Sequence, residues 1–381
     1  MKFSKKATAA VIAAFFVLAG TPSAHALDLQ GSGASFVDPL LQACKAGYAT
    51  SSKHSYVYTS TGSGTGKKNA DANIGNFWFS DSAHTASTKR STVFHAPIVA
   101  APIAVLVNLP AKKEIYLTPA TIAGIFAGEI IKWNDPAIVA DNNRSVKTVT
   151  YRKDKSGNVV TKNGNPVILR SGTKSIYYTL PNKPIKVVFR ADGSGTSNNF
   201  TKWLNGVAPT VWTKPANDAF TTAFPGNINS PANIGRIVGA NQSQGIATLA
   251  AKTPYSIAYA EKNWGDAYGL RAAYVGNAAG NFTFPDSAAT SAFLGEAKQD
   301  ANGIVSYDYG TKVAGVYTLG IVSYMLIETS YEDKAKGAAV KELAEYILSP
   351  ACSGADPKLG YIVIQGTFLA KAKELIAKMN K

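Results

Sequence analysis

The chain has 381 residues, of which 46% are hydrophobic and 17% charged. Such a composition excludes a disordered tail, which would be poor in apolar residues and dense in charge, and 33 glycines with 18 prolines exclude collagen-like and low-complexity chains. Lys+Arg at 39 against Asp+Glu at 24 gives a net charge of +15, which favours acidic partners or anionic ligands and is silent about the fold.

Lys2, Lys5 and Lys6 precede an apolar run from Ala7 to Ala19, and Ala24-His25-Ala26 follows as a small-x-small cleavage signal. This is the pattern of a secretory leader cleaved after Ala26. The run is too short to span a bilayer as an anchor, so the mature chain is expected to be exported and periplasmic, with a net charge of +12 once the three lysines are removed. The cysteines, Cys44 and Cys352, could pair in an oxidising compartment or stay as buried thiols. No Cys or His spacing suits zinc.

Leu27–Ser32 reads as a strand that breaks at Gly31-Ser32-Gly33-Ala34-Ser35-Phe36 and opens a helix to about Tyr48. Ser55–Thr59 is a second strand, followed by Gly62-Ser63-Gly64-Thr65-Gly66 and a helix start. Ile74–Ser80 is a strand ending at Asp81, and Ile98–Asn108 is a buried strand interrupted by Pro102. Thr118 and Pro119 suit the N-cap and first position of a helix to Phe126, and Trp133-Asn134-Asp135-Pro136 opens a short one. Residues 144–183 change texture. Four short strands (146–152, 159–162, 167–170, 176–180) with turns at Ser156-Gly157, Asn163-Gly164 and Ser171-Gly172 suggest a β-meander. It holds nine Lys/Arg and one Asp, and reads either as a contact surface for an acidic partner or as a solvated insertion. Ile185–Phe189 is a strand entering Arg190-Ala191-Asp192-Gly193-Ser194-Gly195-Thr196-Ser197, with a helix to Leu204. Ile234–Ala251 reads as largely helical, Ser256–Ala260 and Tyr317–Ile327 as strands, Lys334–Leu348 and Leu369–Met379 as helices. Alternation of this kind predicts an α/β fold.

Three Gly/Ser/Thr loops therefore each follow a strand and precede a helix. Helix N-termini leave unpaired N–H groups and a partial positive charge, glycine admits an oxyanion to the backbone, and hydroxyls add donors, so such loops suit small anions. Competing motifs fail. Thr61 stands where a nucleotide P-loop needs its first glycine, no G-x-S-x-G elbow occurs, and Ser171-Gly172-Thr173-Lys174 lacks its companion motifs. Taken singly, Asp81 could cap a helix, Arg190 could form a surface ion pair and Ser63 could belong to a turn.

In order along the chain, residues 31–36 with Pro39, Gly62-Ser63-Gly64, Phe79-Ser80-Asp81, Ile125–Gly128 to Lys132–Asp135, Arg190–Ser197 and, more loosely, Ile257–Glu261 resemble the periplasmic phosphate-binding protein of ABC-type phosphate importers. The resemblance implies a type II, two-lobed periplasmic-binding-protein fold, with mixed β-sheets flanked by helices and a hinge. It implies lobe one at 27–102 plus 318–381, and lobe two at 103–317 carrying the basic insertion at 144–183. The phosphate site would use Ser35, the Phe36 N–H, Ser63, Asp81 as acceptor of a phosphate proton, Arg190 as charged clamp, and Ser194, Gly195 and Thr196 at a helix start, with Asp192 orienting Arg190. Both cysteines would fall in lobe one, which favours the bridge. The partners implied are inorganic phosphate, an inner-membrane permease and its ATPase. No nucleic acid, metal, cofactor or catalytic residue is expected, and the protein would be a monomer. A phosphatase on the same scaffold is the alternative.

Overall fold

The computed structural model describes residues 26–163 and 165–380. Apart from Ala26, the expected leader lies outside them. The core is a ten-stranded sheet in the order β6-β5-β7-β4-β8-β3-β1-β2. Its strands are β1 (Asp28–Gly33), β2 (Ser55–Ser60), β3 (Phe77–Ser80), β4 (Val93–Val107), β5 (Lys186–Arg190), β6 (Ile237–Ala240), β7 (Ser256–Glu261) and β8 (Gly320–Glu328), with Arg271–Ala272 and Ile362–Val363 adding to β4. Helices α1 (Asp38–Ser52), α2 (Ser63–Asp71), α3 (Pro119–Phe126), α4 (Gly195–Val207), α5 (Gln242–Lys252), α6 (Lys334–Leu348) and α7 (Gly366–Ile376) complete the α/β layers that matter here.

β4 organises the molecule. All but one of its 15 residues are buried, as a near-continuous apolar run requires of a strand covered on both faces. It changes partner midway: Val93–Pro102 pair with β8, and Ile103–Val107 pair with β7. Pro102, which has no N–H to give to a ladder, sits at that handover and does not end the strand. Pro97 lies beside the register shift at Ser323/Tyr324, where a bulge tolerates the missing donor. The sheet thus has two halves. In one, β1 pairs in parallel with β2 and β3; in the other, β5 pairs in parallel with β6 and β7.

The helix cap expected at Thr118 is present: its hydroxyl accepts the Thr121 N–H at 3.3 Å. The second short helix begins at Pro136, capped by Asp135. Cys44 of α1 is bridged to Cys352, with Cα atoms 5.0 Å apart. Two expectations need correction. Ile234–Ala251 is not largely helical: Ile237–Ala240 is a strand pairing with β5, and the helix starts only at Gln242. Nor is Ser171-Gly172 a turn. It lies inside the strand Ile168–Tyr177, which pairs along Asn143–Tyr151 with Gly172 opposite Thr148, because the long ladder outweighs local turn chemistry. That strand ends at Tyr177, short of the expected Leu180. Thr161–Lys162 pairs with Asn165–Pro166; Gly164 of the turn expected between them lies outside the described residues. Among the described residues no helix is long and apolar enough to cross a membrane.

Candidate anion-binding site

Parallel strands in both halves deliver their carboxyl ends to one place, where open α/β sheets bind ligands. β1 leads through Ser35 and Phe36 into α1, and β2 leads through Gly62 into α2. β3 ends beside Asp81, β5 ends in Arg190 and leads to α4, β6 leads to α5, and β7 ends in Glu261. Four helix N-termini therefore face the site. Gly62 occupies the N-cap of α2 at φ 86°, a region that a side chain rarely enters. A Cβ there would also meet Asp192 at 2.5 Å and the Gly193 carbonyl at 2.8 Å. The N-caps of α1, α2 and α5 make no side-chain cap bond, but the first amides of α5 are engaged across the site, Gln242 N–H donating to Asp192 Oδ1 at 3.0 Å and Ser243 N–H to Ser35 Oγ at 3.2 Å.

The centre of the site is buried. Arg190 is 2% exposed and Asp81 3%, which removes the surface-ion-pair reading of Arg190. Its Nε and Nη2 donate to the two Asp192 oxygens at 2.7 and 2.5 Å, and its Nη1 donates to Ser243 Oγ at 3.1 Å. Asp192 thus orients the guanidinium, as expected. Burial pushes the Asp192 carboxyl up, but Arg190 outweighs it and holds the group below the usual carboxylate range. No helix follows Asp81, so it is not a cap. Its Oδ1 accepts from Ser323 Oγ at 2.7 Å and its Oδ2 from Ser63 Oγ at 3.3 Å. The Asp81 N–H donates to Ser63 Oγ at 3.0 Å. Burial, with the nearby Glu261 carboxylate second, pushes Asp81 up to about 7, against the opposing pull of Ser323, Arg190 and Ser63.

Ser35 Oγ shares a hydrogen bond with Ser243 Oγ at 3.2 Å and accepts the Ser243 N–H at 3.2 Å, which joins the two halves. Phe36 is fully buried against Tyr361, whose hydroxyl donates to its carbonyl. Ser194 caps α4 by accepting from Ser197 N at 3.1 Å, and a hydroxyl that accepts still has its own proton to donate. Gly195 packs so closely that a Cβ would meet Ser63 Oγ at 2.6 Å and Asp81 Cβ at 2.7 Å. The Thr196 hydroxyl donates to Glu261 Oε1 at 2.6 Å. Further bonds seal the halves together. Gly64 N–H donates to the Gly193 carbonyl at 2.8 Å, Asn199 Nδ2 to the Asp81 carbonyl at 2.6 Å, and Lys67 pairs with Asp218 at 2.6 Å.

Sequence reasoning missed Ser243, Glu261, Ser323 and Asp218. The fully buried Glu261 leaves Oε2 without a partner among the described residues. Among those residues no cluster of His, Cys, Asp or Glu could hold a metal ion.

A family model described as a PBP superfamily domain matches the chain twice, over residues 19–167 and 168–351. The chain is 28% identical over 327 residues to the phosphate-binding protein PstS 3 of Mycobacterium tuberculosis, covering 82% of this chain and 76% of that protein. It is 26% identical over 336 residues to the phosphate-binding protein PstS of Xylella fastidiosa, covering 85% and 79%. A solved high-affinity periplasmic phosphate-binding protein (PfluDING), bound with phosphate, superimposes with a TM-score of 0.65 at 20% identity, over 91% of this chain and 93% of that one. The last likeness concerns the fold.

Proposed function

The chain belongs to the PBP superfamily, and from that premise we propose that it is the phosphate-binding component of an ABC-type phosphate importer. The observation that carries this reading is the convergence of four helix N-termini, a clamped Arg190 and the buried Asp81 on one centre. The ligand is a small dehydrated oxyanion. Ser35, the Phe36 N–H and Ser63 bind it from lobe one, and Arg190, Ser194, Gly195 and Thr196 from lobe two. Asp81 shares a proton with it. Lobe one comprises 27–102 and 318–381, and lobe two 103–317; the change of partner along β4 at Pro102/Ile103 supports that division. Ligand bridges the lobes and favours the closed form.

The protein works outside the cytoplasm after cleavage at Ala26, as a monomer, and passes phosphate to an inner-membrane permease driven by its ATPase. The matched relatives carry the names of phosphate-binding proteins, not enzymes, so a phosphatase on this scaffold has no support. Calorimetry with phosphate and sulfate tests the reading. Tight phosphate binding with sulfate excluded is expected. Asp81→Asn should narrow the ratio between the two anions, because an amide can turn its NH₂ towards an oxygen that carries no proton, whereas Arg190→Ala should weaken both. An unchanged ratio in Asp81→Asn would remove Asp81 from the ligand set.

A further inference from the structure

The insertion is a twisted antiparallel ribbon. Asn143–Tyr151 pairs with Ile168–Tyr177, and the segment between them folds back as a small meander. There Arg152 N–H donates to the Val167 carbonyl, and the Val160 N–H to the Arg152 carbonyl, each at 2.8 Å. Its root is fixed: Val146 is buried with Tyr116 and Phe282, and the Tyr151 hydroxyl donates to the Ala314 carbonyl. Beyond the root nearly everything is exposed, and the nine Lys/Arg of residues 144–183 are all on the surface. Only Lys174 forms an ion pair among the described residues, with Glu114. The one acid, Asp154, turns inward on its own loop and accepts the Ser156 and Asn158 N–H groups at 2.8 and 2.9 Å, so it is engaged by the backbone beside Lys153 and Lys155. Arg144, over the Phe282 ring at 5.4 Å, and Lys174 serve the root, whereas Arg152, Lys153, Lys155 and Lys162 further out are exposed.

Apolar side chains stand among them. Ile168 is 46% exposed and Leu169 66%, directly ahead of Arg170, and Tyr177 is 73% exposed. A purely polar acidic partner, such as a nucleic acid or an acidic peptide, would satisfy the cations and leave these aliphatics in water. An anionic bilayer surface satisfies both: headgroups take the cations, while aliphatic and aromatic side chains enter the interfacial zone. Ser156 and Asn158 of the tip line a cleft with Leu348 and Leu369 of the C-terminal helices, and none of the exposed cations and aliphatics of the ribbon lines it. We propose that this ribbon is a peripheral docking arm for an anionic phospholipid surface.

The test is co-sedimentation of the full mature protein with vesicles of mixed phosphatidylglycerol and phosphatidylcholine, against vesicles of phosphatidylcholine alone. Binding to the anionic vesicles only is expected, with release at about 0.5 M salt, where screening shortens the reach of charge. Each basic residue near such a surface contributes roughly fivefold to partitioning. The quadruple variant Arg152→Gln/Lys153→Gln/Lys155→Gln/Lys162→Gln should therefore bind on the order of several hundredfold more weakly, and Ile168→Ser/Leu169→Ser severalfold more weakly. Phosphate affinity, unchanged in both, shows that they fold. No binding by the wild-type protein, equal binding to neutral vesicles, or an unaffected quadruple variant would overturn the proposal. So would a duplex DNA fragment that displaces the protein from vesicles, which would point to a nucleic-acid surface.

Discussion

Adding one methyl group at Gly195 tests lobe closure directly. A Cβ there would lie 2.6 Å from Ser63 Oγ, 2.7 Å from Asp81 Cβ and 2.8 Å from the Asp81 carbonyl carbon, about 0.8 Å inside ordinary contact. The Ser63 hydroxyl could rotate away only by giving up its bonds to Asp81, and Asp81 is held in turn by Ser323 and Asn199. Overpacking of this kind costs about 1–3 kcal/mol, so phosphate should bind about 5- to 150-fold more weakly to Gly195→Ala. The N–H is retained, and the backbone of Gly195 is not among the left-handed positions, so the loss is steric. In the open form the methyl meets nothing from the other lobe. The ligand-free protein should melt at the wild-type temperature or slightly above, since alanine suits a helix better than glycine. Gly193→Ala is the control: its Cβ would approach Gly64 Cα at 3.2 Å, a mild contact worth at most a few-fold by the same reasoning. Titration calorimetry with thermal melts reads both. An affinity within about threefold of wild type for Gly195→Ala, or equal losses for the two variants, would refute closure as the origin of binding.

Lys67→Ala removes the ion pair to Asp218 at 2.6 Å, which ties the halves together at the rim, and a bond to Ser82 of its own half at 2.9 Å. A partly exposed pair is worth about 1 kcal/mol, so phosphate should leave roughly fivefold faster in stopped-flow release; an unchanged release rate would make the pair incidental. Cys352→Ala opens the tie between α1 and the C-terminal segment and should cost about 2–5 kcal/mol of stability. It should lower the melting temperature and spare phosphate affinity, and free-thiol titration of the unreduced wild-type protein should find none.

Ser35, Ser63, Asp81 and Arg190–Thr196 were legible in the sequence because each belongs to a strand, then a small-residue loop, then a helix or strand end, and that pattern survives folding unchanged. Ser243 belongs to a fourth instance of the same pattern. It was hidden because β6 has only four residues, and Ile234, Ile237 and Val238 also fit a helical face at i, i+3 and i+4; Gly239 and Asn241 were the available signal. Ser323 is a small hydroxyl residue in a fully buried, mainly apolar strand, a weak hint of a buried polar partner. Glu261 lay in the loosely matching segment Ile257–Glu261, but nothing local marked its carboxylate as interior. A carboxylate ending a strand normally meets water, and only the approach of Thr196 from α4 makes its place interior. The ribbon's true pairing was likewise non-local, since Gly172 looks like a turn until Thr148, far back in the chain, is set opposite it.

The charges at the site give the argument for selectivity its pH dependence. Arg190 is already matched by Asp192, and Asp81 faces a second buried carboxylate in Glu261. The centre therefore offers no surplus positive charge, and its attraction for an anion comes from helix amides, hydroxyls and shared protons. With Asp81 in the proposed ligand set, one proton must lie between it and the nearest ligand oxygen, because two bare acceptors face to face in a dry site are strongly unfavourable. Phosphate brings that proton at neutral pH; sulfate does not. Sulfate can bind only when Asp81 itself is protonated, and Asp81 stands at about 7 in the closed protein. Below that value Asp81 carries the proton already and discrimination is weakest. Above it, sulfate binding requires uptake of a proton, so sulfate affinity should fall by about tenfold per pH unit, while phosphate, still protonated, follows a shallower course. Competition binding at about pH 6, 7 and 8 should show the phosphate-to-sulfate preference rising across the series, and Asp81→Asn should flatten it. A preference independent of pH in the wild-type protein would mean that the discriminating proton is held elsewhere, with Glu261 the next carboxylate to examine.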